Sequence, residues 1–268
     1  MNAPRLEIVD LSVRYGGELA VDHVTLEAPV GRLTGLIGPN GAGKTSTFNA
    51  CSGLLRPSSG RVVLFGENVT RRGPAARARR GLGRTFQRME LFTSMTVAEN
   101  VALGREARLA GSNPLWQQIG TPRQRVAVRS ATEEALELCS IGDIAGQTVG
   151  SLSTGQRRLV ELARVYAGDF RLLLLDEPSS GLDHAESERF GAILRSLVVE
   201  RGVGILLVEH DMQLVMSVCD DLHVLDFGRL VFSGTPAETQ ASPVVRAAYL
   251  GAENVLEIAG VPTAPGQH

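Results

Sequence analysis

Apolar positions in the first part of the chain come in short runs bounded by turn residues, the pattern of strands rather than helices. LEIVDLSVRY (Leu6 to Tyr15) and AVDHVTLEA (Ala20 to Ala28) predict two of them. RLTGLIG (Arg32 to Gly38) predicts a short buried strand, and RVVLF (Arg61 to Phe65), bounded by glycines, another. From Thr96 to about Ala167 the spacing becomes helical, with Val128, Ala131, Ala135 and Leu138 along one face. A stretch rich in Gly, Asn and Pro (Gly111 to Pro122) interrupts that region and reads as a surface excursion. Strands and helices then alternate: RLLLLDE, a helix from Ala185 to about Glu200, GILLVEH, a helix after Asp211, and DLHVLDFG. Such alternation predicts an α/β fold, a mainly parallel sheet with helices on both faces, into which the helical middle is inserted. No internal repeat is evident.

Composition narrows the possibilities only a little. The 268 residues suffice for one large domain or two small ones, and 43% apolar content is that of a globular protein with a sizeable core. Lys plus Arg number 27 and Asp plus Glu 29, so 27 − 29 = −2, which gives no electrostatic reason to expect nucleic acid as a partner. The densest basic run, RRGPAARARR (Arg71 to Arg80), reads as a solvated loop and helix face, with anionic lipid or an acidic partner loop as the alternative contact. Cys51, Cys139 and Cys219 are widely spaced in apolar stretches, which predicts buried, reduced thiols and no metal site. No apolar run approaches the roughly 20 residues that span a bilayer. The N-terminus enters a strand pattern directly, so no signal peptide is expected and a membrane role requires other chains.

The most informative segment is GPNGAGKT (Gly38 to Thr45), which satisfies the pattern G-x-x-x-x-G-K-[ST] at every fixed position. Gly38, Gly41 and Gly43 allow a loop tight enough to aim backbone N–H groups at phosphate oxygens. Lys44 supplies a point charge for the β- and γ-phosphates, and the Thr45 hydroxyl suits a Mg²⁺ ion. A helix starting near Gly43 turns its positive end to the same anion. Together Gly38, Pro39, Asn40, Gly41, Ala42, Gly43, Lys44, Thr45 and Ser46 make the candidate triphosphate cradle.

Two further strand ends belong to the same chemistry. RLLLLDE (Arg171 to Glu177) is apolar throughout, as a strand covered on both faces must be, and then ends in two carboxylates. Alone, the pair is equally a strand running out into solvent. Beside a phosphate loop, Asp176 is the candidate Mg²⁺ ligand and Glu177 the candidate general base for an attacking water. GILLVEHD (Gly204 to Asp211) brings His210 to the same sheet edge, in reach of a γ-phosphate and that water.

Between the helical stretch and RLLLLDE lies LSTGQRRLVELAR (Leu152 to Arg164), which resembles the LSGGQ signature of ATP-binding cassette (ABC) proteins. Phosphate loop, FQ (Phe86, Gln87), signature, LLLLDEP, SGLD (Ser180 to Asp183) and EHD follow in the family's order and cover most of the chain. The resemblance implies a P-loop NTPase core with a mainly parallel sheet, an N-terminal antiparallel β-subdomain and an inserted α-helical signature subdomain. Its bounds are one ATPase domain over 1–250, with 1–95 and 169–235 the ATP-binding core, 96–168 the helical subdomain and 251–268 a tail. It implies that two such domains pair head to tail around two ATP molecules, each with Mg²⁺. Ser153, Thr154, Gly155 and Gln156 then act in trans on the γ-phosphate, Gln87 reaches Mg²⁺ and water, Asp183 links the two sites, and Tyr15 stacks on adenine. Thr154 departs from the family's usual glycine, and its Cβ narrows the backbone geometry open to that contact. With one copy of each motif, the chain requires a second copy of itself or a sister chain.

RTFQRMELFTSMTVAENVALG (Arg84 to Gly104), VEHDMQLVMSVCDDLHVL (Val208 to Leu225) and VVRAAYLGAE (Val244 to Glu253) are similar to ATPase subunits of branched-chain amino acid importers, a group that includes urea and amide importers. That resemblance implies permease subunits as partners, an extracytoplasmic solute-binding protein as an indirect one, and a peripheral position on the cytoplasmic face of the cell membrane. Met89, Leu91, Phe92 and Met95, expected to be exposed, suit the groove that receives a permease helix. Export or lipid extraction is the alternative, and a soluble ATP switch without a transport role the more distant one.

Overall fold

A computed structural model describes residues 4–85, 89–110 and 121–250. In chain order the elements are β1 (Arg5–Tyr15), β2 (Glu18–Pro29), β3 (Leu33–Ile37), α1 (Lys44–Ser52), β4 (Ser59–Leu64), β5 (Glu67–Asn68), α2 (Pro74–Arg79), β6 (Leu82–Arg84), α3 (Val97–Ala110), α4 (Pro122–Leu138), α5 (Thr154–Ala167), β7 (Leu172–Asp176), α6 (His184–Arg201), β8 (Gly204–Val208), α7 (Met212–Val218), β9 (Asp221–Asp226), β10 (Arg229–Gly234), α8 (Pro236–Ala241) and α9 (Pro243–Leu250). Two sheets form among the described residues: a four-stranded antiparallel one in the order β2-β1-β4-β5, and a six-stranded one in the order β10-β9-β3-β8-β7-β6. The larger sheet is parallel from β9 to β6, and β10 closes it as the antiparallel arm of a hairpin with β9.

The run of leucines in β7 is explained by its central place. Leu172 and Leu174 turn to the side covered by α1 and the small sheet, and Leu173 and Leu175 to the side covered by the helices. The same two-residue alternation sends Leu206 and Val208 of β8 one way and Ile205 and Leu207 the other. A strand buried on both faces leaves no position for a polar residue until it ends, and β7 ends at Asp176. Helices α3, α4 and α5 pack on one another, with Ala135, Leu136 and Val160 in their shared core.

The basic run reads differently in the structure. Arg71, Arg72 and Arg79 are exposed, but Arg77 is only 1% exposed, which corrects the reading of the whole run as a solvated face. Its guanidinium donates to the Ala50 and Cys51 carbonyls at 2.6 Å each and to Val69 at 2.9 Å. Ala50 and Cys51 lie in the last turn of α1, where helix carbonyls lack intrahelical partners and the dipole favours a cation. Arg77 thus anchors the far end of the helix whose near end forms the phosphate loop. The three cysteines are buried. Of the residues expected to be exposed between β6 and α3, Phe92 is exposed, whereas Met89, Leu91 and Met95 are half-buried.

Candidate active site

Strands β3, β8 and β7 lie side by side, and their registers align Leu36 with Val208 and Val208 with Asp176. At about 4.8 Å per strand, the chain segments leaving these three positions all start at one edge, within about 10 Å of one another. Those segments are the phosphate loop, His210 and Asp176–Glu177. Carboxyl edges of parallel sheets are where such folds bind ligands.

At the phosphate loop, Gly38 has φ 146°, and a Cβ there would run into the Leu225 carbonyl oxygen. Gly43 takes the left-handed N-cap position of α1 at φ 95°, with no side-chain cap. The first-turn N–H groups of α1 are therefore left for another acceptor, and no acidic side chain occupies that turn. Lys44 is 6% exposed and its Nζ donates to the Gly38 and Pro39 carbonyls at 2.6 and 2.9 Å, curling the loop around the ammonium. Burial lowers the Lys44 pKa from the ordinary 10.5, against the opposing charge of Glu177. The Thr45 side chain lies on the exposed side of the first turn, and Ser46 Oγ is 3.3 Å from the hydroxyl of Tyr15, itself 51% exposed.

Asp176 is 5% exposed, and its Oδ2 accepts from Arg84 Nη2 at 3.2 Å. Burial raises its carboxyl above the ordinary 3.8, against the pull of Arg84. The neighbouring Glu177 turns the chain sharply, at φ 48°, a conformation costly for a side chain with a Cβ and frequent at functional sites. That turn aims its Oε1 at His210 Nε2, 2.7 Å away. A buried lysine with lowered pKa and a buried aspartate with raised pKa are each stabilised as ions by an opposite charge. An anion at the loop and a hard cation at Asp176 meet both needs together. Thr45 and Asp176 offer the hydroxyl and carboxylate oxygens that Mg²⁺ takes when phosphates and water complete its shell. No cluster of three or more His, Cys, Asp or Glu among the described residues offers a protein-only metal cage.

The signature residues lie elsewhere. Ser153 caps α5 in a reciprocal box: Gln156 N donates to Ser153 Oγ at 3.2 Å and Ser153 N donates to Gln156 Oε1 at 3.0 Å. Asp183 caps α6 in the same manner with Glu186, at 2.8 and 3.0 Å. These two caps adjoin: a Cβ on Gly155 would strike the Glu186 carboxylate, and one on Gly181 would meet the Thr154 methyl at 3.1 Å. The structure therefore brings Lys44, Asp176, Glu177 and His210 to one sheet edge, and sets Ser153 to Gln156 against Asp183 and the start of α6. Gln87 lies outside the described residues.

Two residues were passed over in the sequence. Arg84, three positions before Gln87, ties Asp176 to α1 through Asn49 Oδ1 at 2.9 Å and Ser52 Oγ at 2.5 Å. Glu209 is 3% exposed and accepts backbone N–H groups from two loops of the site. It follows GILLV, but in a strand buried on both faces alternation does not tell an inward residue from an outward one, so its burial was not legible in the sequence.

A triphosphate cradle at the carboxyl edge of a parallel sheet, with an acid pair and a histidine beside it, defines a nucleotide-hydrolysing P-loop protein. Comparison with known proteins specifies which. The family model for ABC transporters matches residues 21–180. The high-affinity branched-chain amino acid transport ATP-binding protein BraF of Pseudomonas aeruginosa is 39% identical over 254 residues, 94% of this chain and 99% of BraF. The lipopolysaccharide export system ATP-binding protein LptB of Haemophilus influenzae is 33% identical over 242 residues, 90% of this chain and 95% of LptB. Among solved structures, the ADP conformation of MJ1267, an ATP-binding cassette of an ABC transporter, superposes with TM-score 0.80 at 27% identity, covering 93% of this chain and 100% of that one. The chain belongs to the ABC transporter family, as an ATP-binding subunit with ATPase activity. No helix among the described residues is long and apolar enough to cross a membrane.

Proposed function

We propose that this protein powers an importer of branched-chain or other hydrophobic amino acids. The observation that carries this reading is the 39% identity to BraF along nearly the whole of both chains. In this reading residues 1–95 and 169–235 form the ATP-binding core, 96–168 the helical subdomain and 251–268 a tail. The chain sits on the cytoplasmic face of the membrane, held by permease subunits. It pairs head to tail with a second copy or a sister ATPase, and an extracytoplasmic solute-binding protein acts through the permease.

The site residues divide the work. The first-turn N–H groups of α1 and Lys44 hold the β- and γ-phosphates, while Tyr15 stacks on adenine. Thr45, Asp176 and Gln87 would hold Mg²⁺, which when bound would offset the charge of the phosphates. Glu177 orients the attacking water and draws its proton, and His210, at 2.7 Å, fixes the Glu177 carboxylate and reaches the γ-phosphate. Ser153, Thr154, Gly155 and Gln156 meet the partner's γ-phosphate, and Asp183 carries the state of one site to the other. The capping bond uses Ser153 Oγ as an acceptor, so its O–H proton stays available to an anion. ATP then closes the dimer and moves the permease, and hydrolysis resets it.

The test is affinity purification of tagged Glu177→Gln protein from native membranes with ATP, followed by mass spectrometry. Multi-span permeases and an amino-acid-binding protein support the importer. The identity to LptB favours a second reading, lipid or lipopolysaccharide export, which envelope lipid-export components among the companions would establish instead. Recovery of ribosomal or DNA-repair proteins with no membrane partner overturns both.

A further inference from the structure

Glu209 is a carboxylate buried to 3% exposure, and it spans two loops rather than lying within one. Its Oε1 accepts from Ser179 N at 2.7 Å, in the segment that follows Glu177 and leads to Asp183. Its Oε2 accepts from His210 N at 3.0 Å, with Asp211 N at 3.5 Å. The two loops meet again in three places. Glu177 N donates to Val208 O at 2.8 Å, His210 Nε2 faces Glu177 Oε1, and Ser187 Oγ of α6 donates to Asp211 Oδ2 at 2.9 Å. Asp211 in turn caps α7 through Leu214 N at 3.0 Å.

We infer that Glu209 is a positioning residue for ATP hydrolysis, a bridge that holds the Glu177–Asp183 loop and the His210 loop in one fixed relation. The inference rests on the roles given above to Glu177 and His210. A carboxylate suits the task because it only accepts hydrogen bonds, so each oxygen serves a different loop. Bonds between backbone N–H groups and a buried anion are about twice as strong as neutral ones. The bridge sets both catalytic side chains from beneath: Ser179 follows Glu177 by two positions, and His210 is bonded through its own N–H. A displacement of about 1 Å between such groups is enough to slow a reaction strongly. Glu209 is buried and both its oxygens are engaged by backbone N–H groups, so its effect falls on turnover and not on nucleotide affinity.

Glutamine is the informative substitution. Glu209→Gln keeps the size, but its amide NH₂ must face one of the backbone N–H groups, donor against donor. The expected result is a fall in kcat of about tenfold, with KM for ATP and the affinity for trinitrophenyl-ATP measured without Mg²⁺ both within about twofold of the parent. Glu209→Asp, which keeps the charge and both acceptors, should recover part of the lost kcat. An unchanged kcat overturns the inference, and so does a parallel fall of kcat, nucleotide affinity and Tm. Hydrogen exchange on the unsubstituted protein needs no variant. The Ser179 and His210 amides should exchange as slowly as those of β8, and rapid exchange of either one also overturns it. Parallel assays of Glu177→Gln and His210→Ala separate the two readings. Turnover retained there overturns the site reading and this inference with it, whereas turnover lost there but kept by Glu209→Gln overturns this inference alone.

Discussion

At α1 the helix starts from Gly43, and its first-turn N–H groups have no side-chain cap. At α5 it starts from Ser153, whose hydroxyl and backbone are both bonded to Gln156. The first end is surrounded by charge: buried Lys44 inside its loop, buried Asp176 paired with Arg84, and half-buried Glu177 against exposed His210. Around the second, Ser153 is exposed and Gln156 half-buried, and the neighbouring Asp183–Glu186 cap repeats the same reciprocal bonds. The difference teaches what each end needs from outside. The phosphate-loop end is incomplete without an anion, since its N–H groups and buried ammonium lack a full complement of acceptors. The signature end is satisfied as a folded helix start, with the Ser153 hydroxyl proton left over.

That contrast can be broken most decisively at Glu177. Glu177→Gln should lower kcat by about 100-fold or more while ATP still draws two chains together, read by ATPase assay and light scattering. Turnover near the parent level would remove Glu177 as the base. Next come the loop glycines. Gly43→Ala places a Cβ 2.5 Å from the Ala20 carbonyl oxygen at φ 95°, whereas Gly41→Ala, at φ 79°, meets nothing within 4 Å. Gly43→Ala should cost about 2–3 kcal/mol and abolish nucleotide binding, and Gly41→Ala about 1 kcal/mol, by thermal melting and calorimetry. Equal losses would mean that backbone strain alone shapes the loop.

At the other end, Ser153→Ala should cost about 1 kcal/mol through loss of the cap. It should also lower ATPase activity without changing the affinity of a single chain for ATP. Weakened monomer binding would contradict the separation of the two ends. The smallest effect lies away from both, at His223, which bonds Ser233 Oγ at 2.8 Å and Glu27 O at 3.0 Å. Burial lowers its pKa from the ordinary 6.5, so the folded protein prefers the neutral ring. As pH falls below 6.5 the unfolded chain takes up the proton first, and stability declines until the lower folded value is passed. Tm should therefore drop on acidification from pH 7.5, and His223→Gln should flatten that slope; an unaltered slope would assign it to other groups.

Much of this could be read along the chain because it is local. The glycines and lysine of the phosphate loop need only adjacent backbone geometry to act, and Ser153 caps a helix that begins one residue later. The strand β7 is legible for a similar reason, since burial on both faces excludes polar residues until Asp176. Elements whose form depends on remote partners were harder to see. Strand β10 carries a weak pattern with no fully buried residue, and it forms because β9 offers an edge. Arg77 looks like any surface arginine in a basic run until α1 is placed above it.

The sequence by itself determined the phosphate loop, the acid pair, the signature cap and the alternation of strand and helix, because each rests on periodicity or on bonds within a few residues. Only the tertiary structure decided that Arg77 is buried beneath α1, that Arg84 joins Asp176 to that helix, and that Glu209 bridges two loops. Ala50 and Cys51 lie 27 and 26 residues before Arg77, Asp176 lies 92 residues after Arg84, and Ser179 lies 30 residues before Glu209. Bonds across such separations arise only when packing brings their partners together, and burial then makes each unpaired charge too costly to leave.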